Sequence, residues 1–110
     1  MRNLIYQYWN GSLTSCAKSS IDNICRYAKR IGVDHKFSLN PNYFSNLSER
    51  YRLYYDCFQP VYDMSFHRYD NVLFLDCDVF AIEGLKDNIF EGFSSDIGIC
   101  QEPFQPKYRT

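Results

Sequence analysis

The stretch YDNVLFLDCDVF, Tyr69 to Phe80, decides how the whole chain is read. Val72 to Leu75 is an unbroken apolar run bounded by polar residues, which suits a central strand buried on both faces. Asp70 and Asn71 lead into it, and Asp70 is expected to anchor or cap the start of the strand. Asp76 and Asp78 follow at its carboxyl end, where open α/β sheets bind their ligands. Residues i and i+2 of an extended segment face one side, so both carboxylates are aimed together and Cys77 away from them. At strand rise their Cα atoms lie ~6–7 Å apart, so a hard divalent ion held at ~2.0–2.2 Å need not be bound directly by both. One can hold the ion while the other takes a ligand hydroxyl or a metal-bound water. The competing reading is a solvated Asp-x-Asp loop or a helix cap, and the strand in front of the pair favours the site.

Working outward, Leu4 to Trp9 (LIYQYW) is a short apolar and aromatic run ending at the turn signal Asn10-Gly11, and it reads as a buried strand. The period then changes. Ala17, Ile21, Ile24, Cys25, Ala28 and Ile31 recur at helical spacing, with Lys18, Asp22, Arg26 and Lys29 on other faces. Ser12, Thr14 and Ser15 are N-cap candidates, Lys29 and Arg30 suit the negative end of the helix dipole, and Gly32 stops the helix. Val33, His35, Phe37 and Leu39 alternate with polar residues, which is strand period, until Asn40-Pro41-Asn42 breaks it.

From Ser48 to about Phe66 the chain reads as helical, with Leu53, Cys57, Val61 and Met64 among the apolar positions and a kink or two abutting helices at Pro60. Gly84 to Phe90 is expected as a short helix, Ser94-Ser95 as a turn and Asp96 to Cys100 as a further strand. The order β-α-β-α-β-(α)-β implies an α/β fold with a parallel or mixed sheet covered by helices. No repeat, linker or low-complexity segment divides residues 1–110, so one domain is expected.

Composition narrows the function classes. The 110 residues carry 12 basic and 13 acidic side chains, a net charge of -1, which leaves no broad basic face for nucleic acid. The 45% hydrophobic content is that of a globular chain rather than a disordered tail. No apolar run approaches the ~20 residues needed to span a bilayer, and the start MRNLIYQYWN lacks signal-peptide architecture, so a cytoplasmic location is expected. Aromatic residues make up 18% of the chain, with ten Tyr against one Trp, and many of these rings are expected at the rim of a small core. The five cysteines are odd in number and never spaced as Cys-x-x-Cys, so they read as small buried hydrophobes in a reducing compartment.

The string Tyr69 to Phe80 resembles the Asp-x-Asp segment of family A (GT-A fold) nucleotide-diphospho-sugar glycosyltransferases, in which Tyr-Asp-x-Val-Leu-x-Leu-Asp-x-Asp is typical. LIYQYW matches that family's first strand, and the Ala17–Ile31 helix, the Pro60-containing helix and the strand before Gln101-Glu102-Pro103 follow in its order. The resemblance implies a Rossmann-like three-layer α/β/α fold with a mostly parallel central sheet. It implies that Asp76 and Asp78 bind Mn2+ or Mg2+ and, with Cys77 between them, meet the ribose-diphosphate of a sugar donor. Tyr6, Gln7, Tyr8 and Trp9 would line the nucleotide pocket. The implied activity is transfer of a sugar from a nucleotide-diphospho-sugar, a UDP-sugar foremost, to an acceptor hydroxyl on a glycan, protein or small molecule.

The chain departs from the pattern in two places. Members usually carry a basic residue in the helix before the Asp-x-Asp strand, where this sequence offers only Gln59, with Arg50 and Arg52 further upstream. Members also continue into an acceptor-binding half, so this chain resembles the nucleotide-sugar half of a larger enzyme. Gln59 and Gln101 are candidate sugar contacts, and no residue is assigned a catalytic role.

Other readings stay open beside this one. A non-catalytic nucleotide-sugar-binding module would share the donor site. A haloacid-dehalogenase-type phosphotransferase also sets Asp-x-Asp after a buried strand, with the first Asp as nucleophile, but requires downstream Ser/Thr, Lys and acidic motifs. Tyr8 and Trp9 can stack on a base or simply close the sheet end. His35 reads as a hydrogen-bonded core or edge histidine, and neither histidine has a partner at metal-ligand spacing. An exposed sheet edge leaves room for pairing with a second copy.

Overall fold

The computed structural model describes residues 2–44 and 55–92. Three parallel strands, β1 (Asn3–Trp9), β2 (Asp34–Leu39) and β3 (Asn71–Phe74), form a sheet in the order β2-β1-β3. Leu4 to Trp9 pair with Asp34 to Leu39, and Asn3 to Tyr6 pair with Asn71 to Phe74. The fold class is α/β, as the sequence pattern requires.

Helix α1 (Ser15–Ile31) makes the crossover between β1 and β2. Of the cap candidates, Thr14 is used: its Oγ1 accepts from the Ala17 amide at 3.1 Å. Gly32 ends the helix in the left-handed region at φ 74°, and Val33 N–H reaches back to the Ala28 carbonyl at 3.0 Å. With Gly32 N–H on the Lys29 carbonyl at 3.3 Å, this satisfies carbonyls the helix would otherwise orphan. Ile24, Tyr27 and Ala28 pack on Ile5 of β1. On the opposite face Leu4 and Tyr6 bury against Phe66.

That opposite face is covered by short pieces. A one-turn 3-10 helix (Asp56–Phe58) runs into α2 (Gln59–Tyr62), and a second 3-10 turn spans Met64–Phe66. Pro60 lies in the first turn of α2, where its missing N–H costs nothing. The break falls instead at Asp63, which is extended (φ -86°, ψ 111°) and caps Ser65 N–H with its side chain at 3.0 Å. Val61 and Met64 are exposed rather than buried, and Phe66 is the anchor. Residues 48–54 of the expected helix lie outside the described residues, as do Ser94-Ser95, Asp96–Cys100 and Gln101.

Three expectations are corrected. The central strand is β1, with Leu4, Ile5, Tyr6 and Gln7 at most 1% exposed, whereas Val72 to Leu75 are only half-buried in a strand that pairs with β1 alone among the described residues. Gln7, the polar residue of LIYQYW, has its side-chain amide hydrogen-bonded inside. Secondly, Gly84 to Phe90 is not helical. A helix would send Ile89 N–H to the Leu85 carbonyl; Ile89 N–H instead donates to Tyr27 OH at 3.1 Å, and Arg30 Nε takes the Leu85 carbonyl at 2.9 Å. Side chains of α1 thus claim the backbone groups a helix would need. Thirdly, of the described cysteines only Cys77 is buried; Cys16 is exposed, Cys25 and Cys57 are half-buried, and none of the four is in a disulfide.

Candidate functional site at the carboxyl ends of β1 and β3

In the order β2-β1-β3 the chain leaves β1 towards one side and returns on the other, so β1 and β3 flank a topological switch point. Crevices for ligands open at the carboxyl ends of such strands. There a cleft of about 430 Å³ is lined by Tyr8, Trp9 and Asn10 at the end of β1, Thr14, Cys16 and Ala17 at the start of α1, and Asp76, Cys77 and Asp78 after β3.

The segment after β3 keeps one further ladder bond, Leu75 N–H to the Tyr6 carbonyl at 3.0 Å, and then turns. Val79 N–H closes the turn on the Asp76 carbonyl at 3.3 Å. The segment is therefore not extended, yet the expected partition holds. Asp76 and Asp78 are exposed, while Cys77 is 5% exposed and its thiol donates to the Tyr8 carbonyl at 3.3 Å. Burial, then the Asp76 and Asp78 charges, push the Cys77 thiol up, so it stays protonated as a stitch between β1 and the turn. Its hydrogen leaves towards the strand and not into the cleft.

Neither Asp76 nor Asp78 has an ion pair among the described residues; the ion pairs there are Arg2–Asp34, Arg26–Glu83 and Arg30–Glu83. No three His, Cys, Asp or Glu side chains among the described residues are grouped to enclose a metal. Two exposed carboxylates suit a different design, in which Mg2+ or Mn2+ takes one or two protein oxygens and completes its shell with water and phosphate. The α1 N-terminus on the same cleft carries no acidic residue in its first turn and presents the positive end of the helix dipole.

Of the residues the sequence singled out, Tyr8, Trp9, Asp76, Cys77 and Asp78 are brought together. Tyr8 stacks on Phe74 with centroids 5.5 Å apart and planes at 26°, and burial raises its phenol well above the ordinary range. The Trp9 indole is pinned by Nε1–H to the Ser12 carbonyl at 3.0 Å. Tyr6 and Gln7 lie beneath the cleft with no exposed area. Tyr6 OH donates to Gln59 Oε1 at 3.2 Å, and Gln59 Nε2 donates to Asp63 Oδ2 at 2.8 Å, so Gln59 is engaged in the core. Asp70 anchors the far end of β3: its Oδ2 accepts from Arg2 N–H at 2.7 Å.

Sequence reasoning missed Asn10, Thr14, Cys16 and Ala17 as cleft residues, and the buried Asp56, whose Oδ2 accepts from Asn10 Nδ2 at 3.4 Å. The signal for the first four was present: a strand, an Asn-Gly turn and a capped helix start place a helix N-terminus beside the strand end. No helix among the described residues is long and apolar enough to cross a membrane. Comparison with protein-family models, curated proteins and solved structures finds no match.

Proposed function

We propose that this chain is the nucleotide-sugar-binding part of a metal-dependent glycosyltransferase of the GT-A type. The observation that carries the reading is the delivery of Asp76 and Asp78, both exposed and without an ion pair among the described residues, to the switch-point crevice opposite Tyr8 and Trp9. The three-stranded parallel sheet and its two helices support the reading as part of a Rossmann-like, three-layer frame.

Tyr8 and Trp9 would offer ring faces to the base, which any base accepts. The α1 N-terminus favours the diphosphate. Asp76 and Asp78 would hold Mn2+ or Mg2+, which supplies positive charge for the departing diphosphate. The turn from Asp76 to Val79 would orient the donor so that an acceptor hydroxyl attacks the anomeric carbon while the sugar–phosphate bond breaks.

Calorimetric titration of UDP and UDP-sugars, with and without Mn2+, on wild type and Asp78→Ala tests the reading. Binding that requires Mn2+ and weakens by at least about tenfold, ~1.4 kcal/mol, in the variant is expected. Metal-independent binding, or none by the folded protein, overturns the donor-site assignment. Release of sugar from a bound donor then separates a transferase from a binding module, and a phospho-aspartate would instead mark a phosphotransferase.

A further inference from the structure

We propose that Gln7, held by His35 and Ser20, is a positioning residue that fixes the backbone of the Asp76–Val79 turn and so the direction of both carboxylates. The inference rests on the reading that Asp76 and Asp78 hold the cation. A glutamine with no exposed area in the central strand is costly unless its amide is satisfied. Here three elements satisfy it. Gln7 Oε1 lies 2.8 Å from His35 Nε2 on β2. Gln7 Nε2 lies 3.4 Å from Ser20 Oγ on α1 and 3.4 Å from the Asp76 carbonyl.

The carbonyl of Asp76 can only accept, so the amide nitrogen must face it and the amide oxygen must face His35. His35 therefore carries its hydrogen on Nε2. Burial lowers the His35 pKa, which favours the neutral ring, and the bond to Gln7 Oε1 selects this tautomer. Ser20 O–H donates to the Val79 carbonyl at 2.6 Å, leaving its lone pairs to accept from Gln7. The two carbonyls that bracket Cys77-Asp78 are thus both held from beneath, one by Gln7 and one by Ser20. The bonds from Gln7 are long and individually weak; their value is directional. With Cys77 fixed to the Tyr8 carbonyl from the buried side, the turn is pinned at three points while its carboxylates face the cleft.

The test uses Gln7→Leu, Ser20→Ala, His35→Phe and the conservative His35→Gln, which keeps an N–H donor. Three readouts are compared: amide hydrogen exchange at Cys77, Asp78 and Val79, exchange across Ile24–Ala28 of α1, and Mn2+-dependent UDP affinity. Gln7→Leu, Ser20→Ala and His35→Phe are expected to raise exchange in the turn by about tenfold or more with α1 unchanged, and to weaken UDP binding roughly tenfold to a hundredfold. His35→Gln is expected to restore both. Should Gln7→Leu fail to fold, Ser20→Ala carries the same test from the helix side. Unchanged exchange in the turn, or a rise spread evenly over the chain, overturns the proposal. A local rise in a protein whose wild type binds no UDP upholds the positioning role and overturns the donor-site reading.

Discussion

Tyr6 and Gln7 are neighbours on β1, yet they face opposite sides of the sheet, and the two sides are held by different forces. On the Tyr6 side, rings fill the space: Tyr6 meets Phe66 edge-on at 5.1 Å, and Tyr8 stacks on Phe74. On the Gln7 side, α1 adds directional bonds. Ser20, Asn23, Tyr27 and Arg30 reach the backbone of Val79, Ala81, Asp87 and Leu85. Ring packing tolerates small shifts, whereas hydrogen bonds to named carbonyls fix positions. The irregular segment after β3 is held on the directional side.

Deep truncations should break both sides alike, because burial supplies the bulk of each. Phe66→Ala is expected to cost about 3–5 kcal/mol and Ile24→Ala about 2–5 kcal/mol in urea unfolding. A much smaller loss for either would show that its face is not part of one cooperative core. Smaller changes should separate the two sides. Asn23 holds both polar groups of Ala81, donating to its carbonyl at 2.9 Å and accepting from its amide at 2.7 Å. Asn23→Ala should therefore cost about 1–3 kcal/mol, whereas Tyr6→Phe, which removes a hydroxyl bonded to Gln59 and Ser38 but leaves the ring packing, should cost about 0.5–1.5 kcal/mol. Equal losses would erase the proposed contrast.

Acid gives the mildest test. Burial depresses the His35 pKa from its ordinary value of 6.5, so the unfolded chain binds that proton first. The unfolded state then holds more protons, and stability falls as pH drops below about 6.5, levelling off beneath the folded-state pKa. Urea midpoints at pH 7.5 and 5.5 should show this fall in wild type and a shallower one in His35→Gln. On the ring side, burial raises the Tyr6 and Tyr8 hydroxyls, which stay protonated across that range.

Local spacing made much of this legible. The period of Ala17 to Ile31 and its caps placed α1, and the alternation from Val33 to Leu39 placed β2. The polar step after Leu75 placed the two carboxylates at a strand end. What escaped were contacts between residues far apart in sequence. Gln7, expected to line the nucleotide pocket, is instead enclosed by Ser20, His35 and Asp76. Gly84 to Phe90 reads as a helix until Tyr27 and Arg30, 55 to 62 residues upstream of their partners, take its backbone groups. Ser20, Asn23 and Tyr27 do lie at helical spacing, but a polar stripe ordinarily signals solvent, and here it marks a seam.

The strand order also sets the timing of assembly. β1, α1 and β2 are contiguous in sequence, so that unit closes only short loops. β3 joins it across a separation of 68 residues, the span between Asn3 and Asn71. Closing that larger loop costs more chain entropy, and pairing of this kind is slow to form. Asp76 and Asp78 come to the cleft with β3, on the far side of this longer loop. The β1–α1–β2 segment carries the aromatic strand end and the helix N-terminus of the cleft, whereas both carboxylates come with β3. On the proposed donor-site reading, a cation site at Asp76 and Asp78 would therefore form only once β3 has paired with β1.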